Sequence, residues 1–380
     1  MSMKTDIIII TSFSAYEPRA EFVKNFFLSQ GKKVKIITTD FQHREKLQRK
    51  NIPNDYIPVL TKPYKKNLSF TRLYSHYVFS HDAVDLAFQY MPSILYVLIP
   101  ANSLARFASI YKKKYKWGGK LILDIIDLWP ESLPLQLFKK NPFSFMWKKM
   151  RDCCLESADL IITECCLYNE ILRLKNHQTI YNTVYWAQTS YPYVEVMLSK
   201  TDTFNLLYLG SINNIIDIPL IVTILKKIRT IKEPFLHIIG TGEKSKKLIN
   251  FLETEEIQYE YHGACYEHEY IHTIASKCHF GLNIMKTSVA VGLTMKSVSY
   301  FELGLPVINN LRGDIWSLVN KYNAGFNLSK KADIPIGFFD TNSTNLMRRN
   351  ARLAFEKHFS DTAIMKCLFQ TLSQLDISDE

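Results

Sequence analysis

At 380 residues the chain is long for one α/β core, and with 47% hydrophobic residues it can bury two. Lys and Arg outnumber Asp and Glu by 47 to 36, a net charge of +11 that favours acidic partners such as phosphorylated ligands, anionic lipid or nucleic acid. No apolar run reaches the roughly 18 residues of a membrane span, so any membrane contact is expected to be peripheral.

The N-terminus carries Lys4, then Asp6 and only four isoleucines before polar residues, which reads as a buried first strand, Asp6 to Thr11, and not as a signal peptide. A polar loop, SFSAYEP, leads to a helix over Arg19 to Gln30 that stops at Gly31, and then to a strand over Val34 to Thr38. The alternation returns with a strand at Ile94 to Ile99, a helix through Tyr111, a strand at Leu121 to Ile126, a helix near Phe143 to Glu156 and a strand at Asp159 to Thr163. From about Thr183 to Asp202 the rhythm is lost, and the interdomain connection is expected there. A second series runs through strands at Phe204 to Leu209, Leu236 to Ile239, Gln258 to Tyr261, Phe280 to Ile284 and Pro306 to Asn309, followed by a helical tail from about Thr344.

The fold class predicted is therefore α/β, with two Rossmann-like domains, residues 1–185 and 203–343. Residues 344–380 form a tail that packs back on the first domain. In doubly wound sheets a ligand sits at the carboxyl ends of the strands, here the interdomain cleft. The cysteines (153, 154, 165, 166, 265, 278 and 367) include no CxxC, and vicinal pairs bridge poorly, so reduced thiols in a cytoplasm are expected.

Three strand–glycine–helix turns fall in the second half. Gly210-Ser211 follows one strand, Gly240-Thr241-Gly242-Glu243 the next and Gly263 the third, a pattern that suits phosphate held by backbone N–H groups and equally suits tight turns. In VAVGLTMKSVSYFELGLPVINN (289 to 310), Gly292 admits a close ligand, Thr294 can cap the helix that Lys296 opens, and Gly304 with Pro306 end it. In LILDIIDLWPESL (121 to 133) a buried strand delivers Asp124 and Asp127 to its carboxyl end. From there Asp127 could orient an acceptor hydroxyl, take its proton, or steady positive charge on a sugar ring; it could also cap the turn before Trp129, and Glu131 is a second candidate.

Taken in order, DIIDLWPES, ESADLIIT, YLGSI, LHIIGTGEKSKKL, YHGACYEHE and GLTMKSVSYFELGLPVI resemble bacterial family-4-type glycosyltransferases of the GT-B fold, across most of the chain. The resemblance implies that the two Rossmann-like domains face each other, with the acceptor on the side of the first and a nucleotide-sugar donor on the second, retention of anomeric configuration, and no metal or other cofactor. It places Gly210 and Ser211 at the donor phosphates, Gly240 and Gly242 in the adjacent nucleotide loop, and Tyr261 to Ala264, with Gly263, beside the base. Gly292, Leu293, Thr294 and Lys296 would hold the diphosphate, with Lys246 and Lys286 as further cations. Asp127 would lie beneath the transferred sugar, and the loop Ser12 to Arg19, with Ser14, Tyr16 and Arg19, would close over the acceptor.

Three departures accompany the resemblance. Ser299 stands where a carboxylate often grips the ribose, with Glu302 three residues on. Asn213-Asn214-Ile215 replaces an Arg and a Lys, and TSFSAYEP lacks the usual glycine pair.

His268-Glu269-Tyr270-Ile271-His272 matches HExxH, yet no third ligand follows at a recognisable spacing, and no zinc site is expected there. YKKKYKWGGK (111 to 120) and KKNPFSFMWKKMR (139 to 151) mix cations with aromatics; both read as solvated helix faces or as a basic face for an anionic membrane, and no RNA-binding motif supports nucleic acid. The expectation is a cytoplasmic glycosyltransferase, peripheral on the inner membrane face. It would transfer a sugar to a glycan or lipid-linked oligosaccharide in surface polysaccharide assembly. The alternatives are a nucleotide-sugar epimerase and a non-catalytic nucleotide-sugar-binding subunit.

Overall fold

A computed structural model describes residues 5–66, 69–132, 142–173, 179–187, 191–199, 202–288, 291–328 and 340–375. The chain divides into two compact units, one made of Met1–Gln188 with Met365–Glu380, the other of Thr189–Ile364.

The first unit contains β1 (Ile7–Thr11), β2 (Val34–Thr39), a small antiparallel pair β3 (Phe41–Gln42) and β4 (Leu47–Gln48), β5 (Tyr56–Val59), β6 (Ile94–Ile99), β7 (Lys120–Ile125), β8 (Leu160–Thr163) and β9 (Ile180–Thr183). Seven of these form one parallel sheet in the order β5-β2-β1-β6-β7-β8-β9. Ile7 to Ile10 and Ile94 to Ile99 are buried throughout, as parallel strands covered on both faces require. β5 takes an edge, where Pro58 is tolerated because one side of an edge strand needs no partner.

The helix Phe70–Gln89, capped by Ser69, was not expected from the sequence. Its buried face includes Arg72, Ser75, His76 and Ser80, so the apolar period that announces a helix is interrupted by polar residues. β5 and β9 were also not expected.

The second unit contains β10 (Thr203–Leu209), β11 (Glu233–Ile239), β12 (Gln258–Gly263), β13 (Phe280–Asn283), β14 (Val307–Asn309) and β15 (Gly325–Asn327), all parallel, in the order β12-β11-β10-β13-β14-β15. This is the doubly wound order whose direction of winding reverses between β10 and β13, and such a reversal opens a crevice at the carboxyl ends of those two strands. The long helix Thr341–His358 belongs to this unit, and from Met365 the chain contributes again to the first. Among the described residues no helix is long and apolar enough to cross a membrane.

Candidate functional site

At the carboxyl edge of the second sheet, the loops after β10, β11 and β12 are laced together backbone to backbone. Gly210 N–H donates to the Ile239 carbonyl (2.9 Å), Ile212 N–H to that of Thr241 (3.0 Å) and Gly240 N–H to that of Gly263 (2.6 Å). The glycines do two different jobs. A Cβ on Gly240 would lie 2.0 Å from the Gly210 carbonyl oxygen and one on Gly242 2.3 Å from that of Ile212, so these two permit loop-on-loop packing. A Cβ on Gly210 or Gly263 would meet nothing within 4 Å; both take positive φ, +109° and +69°, and leave open backbone. Ser211 is exposed, and its carbonyl accepts from the Tyr208 phenol at 2.8 Å. Lys246 and Lys286 are both exposed.

Beside these loops the helix Met295–Glu302 starts with Thr294 at its N-cap, whose hydroxyl accepts from Ser297 N–H at 3.2 Å while the Ser297 side chain returns to Thr294 N–H at 3.4 Å. Thr294 Oγ1 also donates to Asn283 Oδ1 (3.0 Å), Asn283 Nδ2 to Asn309 Oδ1 (2.8 Å) and Asn309 Nδ2 to Asn327 Oδ1 (2.6 Å). A ladder of asparagines, one at the end of each of β13, β14 and β15, therefore anchors the helix start. Tyr300 fastens the same helix from beneath by accepting from Leu209 N–H at 2.8 Å, over a ring position that only glycine at 281 permits. Gly292 is buried, its carbonyl accepting from Ile315 N–H (3.1 Å), while Leu293 and Ser299 are half-buried. Val289 and Ala290 lie outside the described residues. Glu302 is engaged by Tyr191 N–H at 3.1 Å, and burial lifts its carboxyl to about 7.

Lys296 occupies the first turn of that helix. Its Nζ lies 4.7 Å from the Tyr208 ring centroid, is buried, and makes no hydrogen bond among the described residues. Burial brings its ammonium down from an ordinary 10.5 to about 7. The amine thus has no counter-ion among the described residues, and it stands at a helix N-terminus, where free N–H groups favour negative charge.

In the first unit the candidates gather after β7. Asp124 is wholly buried and clamped by Arg19, with Nε–Oδ2 at 2.8 Å and Nη2–Oδ1 at 2.5 Å, and by the Tyr96 hydroxyl at 2.8 Å. Arg19 is thus committed to an internal pair, its guanidinium 4.3 Å from the Trp186 ring centroid. Asp127 is half-buried and accepts from the Tyr16 phenol at 2.6 Å; burial raises its pKa, and Tyr16 and then Arg72 oppose the rise. Ser14 lies half-buried in the single 3-10 turn Ser14–Tyr16. Glu131 is gripped by Arg151 at 2.9 Å and Lys148 at 3.0 Å, and against the upward push of burial these cations hold it at about 2.

Sequence reasoning missed Glu164, the first residue after β8, as Asp127 is the second after β7. Burial first, then Asp127 and Asp124, lift its carboxyl to about 7 although Arg19 opposes them. The strand-tip position was the available signal. Arg72 was missed too: it is buried 4.7 Å from the Trp129 ring centroid, beside a cavity of about 10 Å³ lined by Ser12, Phe13, His43, Tyr64 and His76. In the HExxH segment, the His268 ring stacks on Tyr191 with centroids 3.6 Å apart.

No protein-family model and no curated protein sequence matches the chain. Solved structures do. The lipopolysaccharide outer core galactosyltransferase WaaB in its apo form superposes with a TM-score of 0.68 at 14% identity, covering 97% of this chain and 99% of its own. A glycosyltransferase from Rickettsia africae gives 0.64 at 13% identity over 99% and 100%. Anabaena Alr3699/HepE, in complex with UDP and glucose, gives 0.65 at 11% identity over 97% and 100%. At such identities the likeness is one of fold: two α/β units with parallel sheets, the architecture of GT-B glycosyltransferases.

Proposed function

We propose that the chain is a glycosyltransferase that moves a sugar from a nucleoside-diphosphate-sugar to a hydroxyl of a glycan or lipid-linked oligosaccharide, with retention, in the assembly of a bacterial surface polysaccharide. The observation that carries this reading is the buried Lys296 amine, which makes no hydrogen bond among the described residues, on the capped helix at the edge where Gly210 and Gly263 leave their backbones open. A diphosphate would give that amine its counter-charge and the helix N–H groups their acceptor.

In this reaction the bond from the sugar's anomeric carbon to the diphosphate oxygen breaks, its electron pair leaving with the nucleoside diphosphate. The acceptor oxygen bonds the same carbon from the vacated face, and its proton passes to Asp127. Lys296 and the helix terminus do the neutralising that a divalent ion does elsewhere, so transfer should proceed in a chelator. The basic, aromatic-rich helix faces of the first unit would suit peripheral contact with the anionic inner face of a membrane.

The test is a thermal-stability screen with nucleoside diphosphates and their sugars. A ligand at about 100 times its dissociation constant adds about 2.7 kcal/mol to a protein that binds it. One nucleotide series should stabilise the wild type and lose most of that effect in Lys296→Met, and the matching sugar donor should then yield glycosylated acceptor. Failure of every nucleotide to stabilise the protein would remove the reading.

A further inference from the structure

The edge strand β12 and its neighbour β11 bring three ligating groups to one spot. His237 pairs opposite Glu260; the register then slips, with Ile238 opposite Tyr261 and Ile239 opposite Gly263, so His262 is the extra residue of a bulge. Residues two apart on a strand share a face, and a bulge re-aims the side chain it carries. His237 Nδ1 lies 3.2 Å from His262 Nε2 and 3.4 Å from Glu260 Oε2, and the last two atoms are 3.7 Å apart. Ligands bonded at about 2.0–2.1 Å around a tetrahedral ion stand about 3.3–3.4 Å from one another. The three atoms thus have the spacing of three corners around a single ion.

The surroundings fit the same purpose. The Tyr270 hydroxyl lies 2.8 Å from His262 Nδ1, and by accepting that N–H it leaves the Nε2 lone pair for an ion, the outer-shell arrangement that orients metal-binding histidines. The His237 and His262 side chains are 9% and 2% exposed, whereas Glu260 is 55% exposed and leaves the remaining side open to water.

We propose that His237, Glu260 and His262 bind one divalent transition-metal ion, with zinc the best match to two imidazoles and a carboxylate and with a fourth position open to water. The site is separate from the HExxH residues His268, Glu269 and His272. Its effect would be structural: an ion there ties the edge strand to β11 next to Gly263, whose carbonyl holds the Gly240 N–H.

Titrating the full chain with zinc in a calorimeter should give one ion per chain, and cobalt should give the visible absorption of a tetrahedral site. Glu260→Gln, at an exposed position that should leave the fold intact, and His262→Ala should each weaken binding at least about tenfold, and Tyr270→Phe about tenfold. His268→Ala and His272→Ala should bind as the wild type does. No stoichiometric uptake, uptake unchanged in both Glu260→Gln and His262→Ala, or uptake lost in His268→Ala would each overturn the proposal. A trio that shares only a proton would show the first of these outcomes.

Discussion

The Tyr16 phenol reaches Asp127 across 2.6 Å, joining the turn after β1 to the tip of β7. Burial pushes the carboxyl up, and this hydrogen bond holds it down. Tyr16→Phe should therefore raise the Asp127 pKa and move the acidic limb of the activity profile to higher pH, with a loss of about tenfold in kcat. Asp127→Asn should cost at least about 100-fold and remove that limb. Rate–pH profiles of both variants check this, and an unshifted limb in Tyr16→Phe would detach the phenol from the acid–base chemistry.

Lys296 should make stability depend on pH in a particular direction. In the unfolded chain its amine keeps a proton up to about 10.5, whereas in the fold it gives the proton up near 7. Between these values the unfolded state binds more protons, so unfolding free energy should rise with pH across that window. Lys296→Met should flatten the slope and raise the melting temperature near pH 7, while weakening nucleotide binding. Denaturation of the two proteins at pH 7 and pH 9.5 separates the two effects.

The glycines should rank by what a methyl meets. Gly240→Ala, with the Gly210 carbonyl 2.0 Å from the new atom and φ at +145°, should cost about 3 kcal/mol or more. Gly210→Ala has space and only its φ to contend with, and about 1–2 kcal/mol is expected. Urea denaturation would reveal the order, and equal costs would mean that the loops are not packed as described.

Asn309 stands in the middle of the asparagine ladder and also bonds Leu311 at both its carbonyl and its N–H. Asn309→Leu would strand several buried polar groups, and about 3 kcal/mol of stability should be lost. Thr294→Ala, which removes the helix cap, should cost about 1 kcal/mol. A weaker nucleotide response in both variants would connect the ladder to the helix terminus.

Glu131 should report acid stability. With its carboxyl held at about 2 by Arg151 and Lys148 and an ordinary value of 4.5, its contribution is complete above 4.5 and lost as pH falls toward 2. Glu131→Gln should destabilise the protein by about 3 kcal/mol at neutral pH, since the wholly buried Arg151 loses a partner. The difference from wild type should shrink on acidification.

The sequence disclosed most where burial on both faces wrote continuous apolar runs, as in Ile7–Thr11, Ile94–Ile99 and the strand before Asp127. It disclosed least where polar residues are buried. The helix Phe70–Gln89 hides Arg72 and His76 inside, β5 carries Pro58 at an edge, and β15 spans only Gly325–Asn327. Strand tips exposed Asp127 but the same rule was not carried to Glu164. The grouping of His237 with Glu260 and His262 depends on strand register and one bulge, which no local pattern announces.

The first unit is discontinuous. Its β9 is contacted by residues near the opposite end of the chain, with Asn182 donating to the Gln374 side chain at 3.0 Å and the Cys367 thiol donating to the Thr183 carbonyl at 3.5 Å. During synthesis that unit emerges first and is completed last, after the whole of the second has been made. Cutting the gene at residue 188 would separate two polypeptides but not two finished folds.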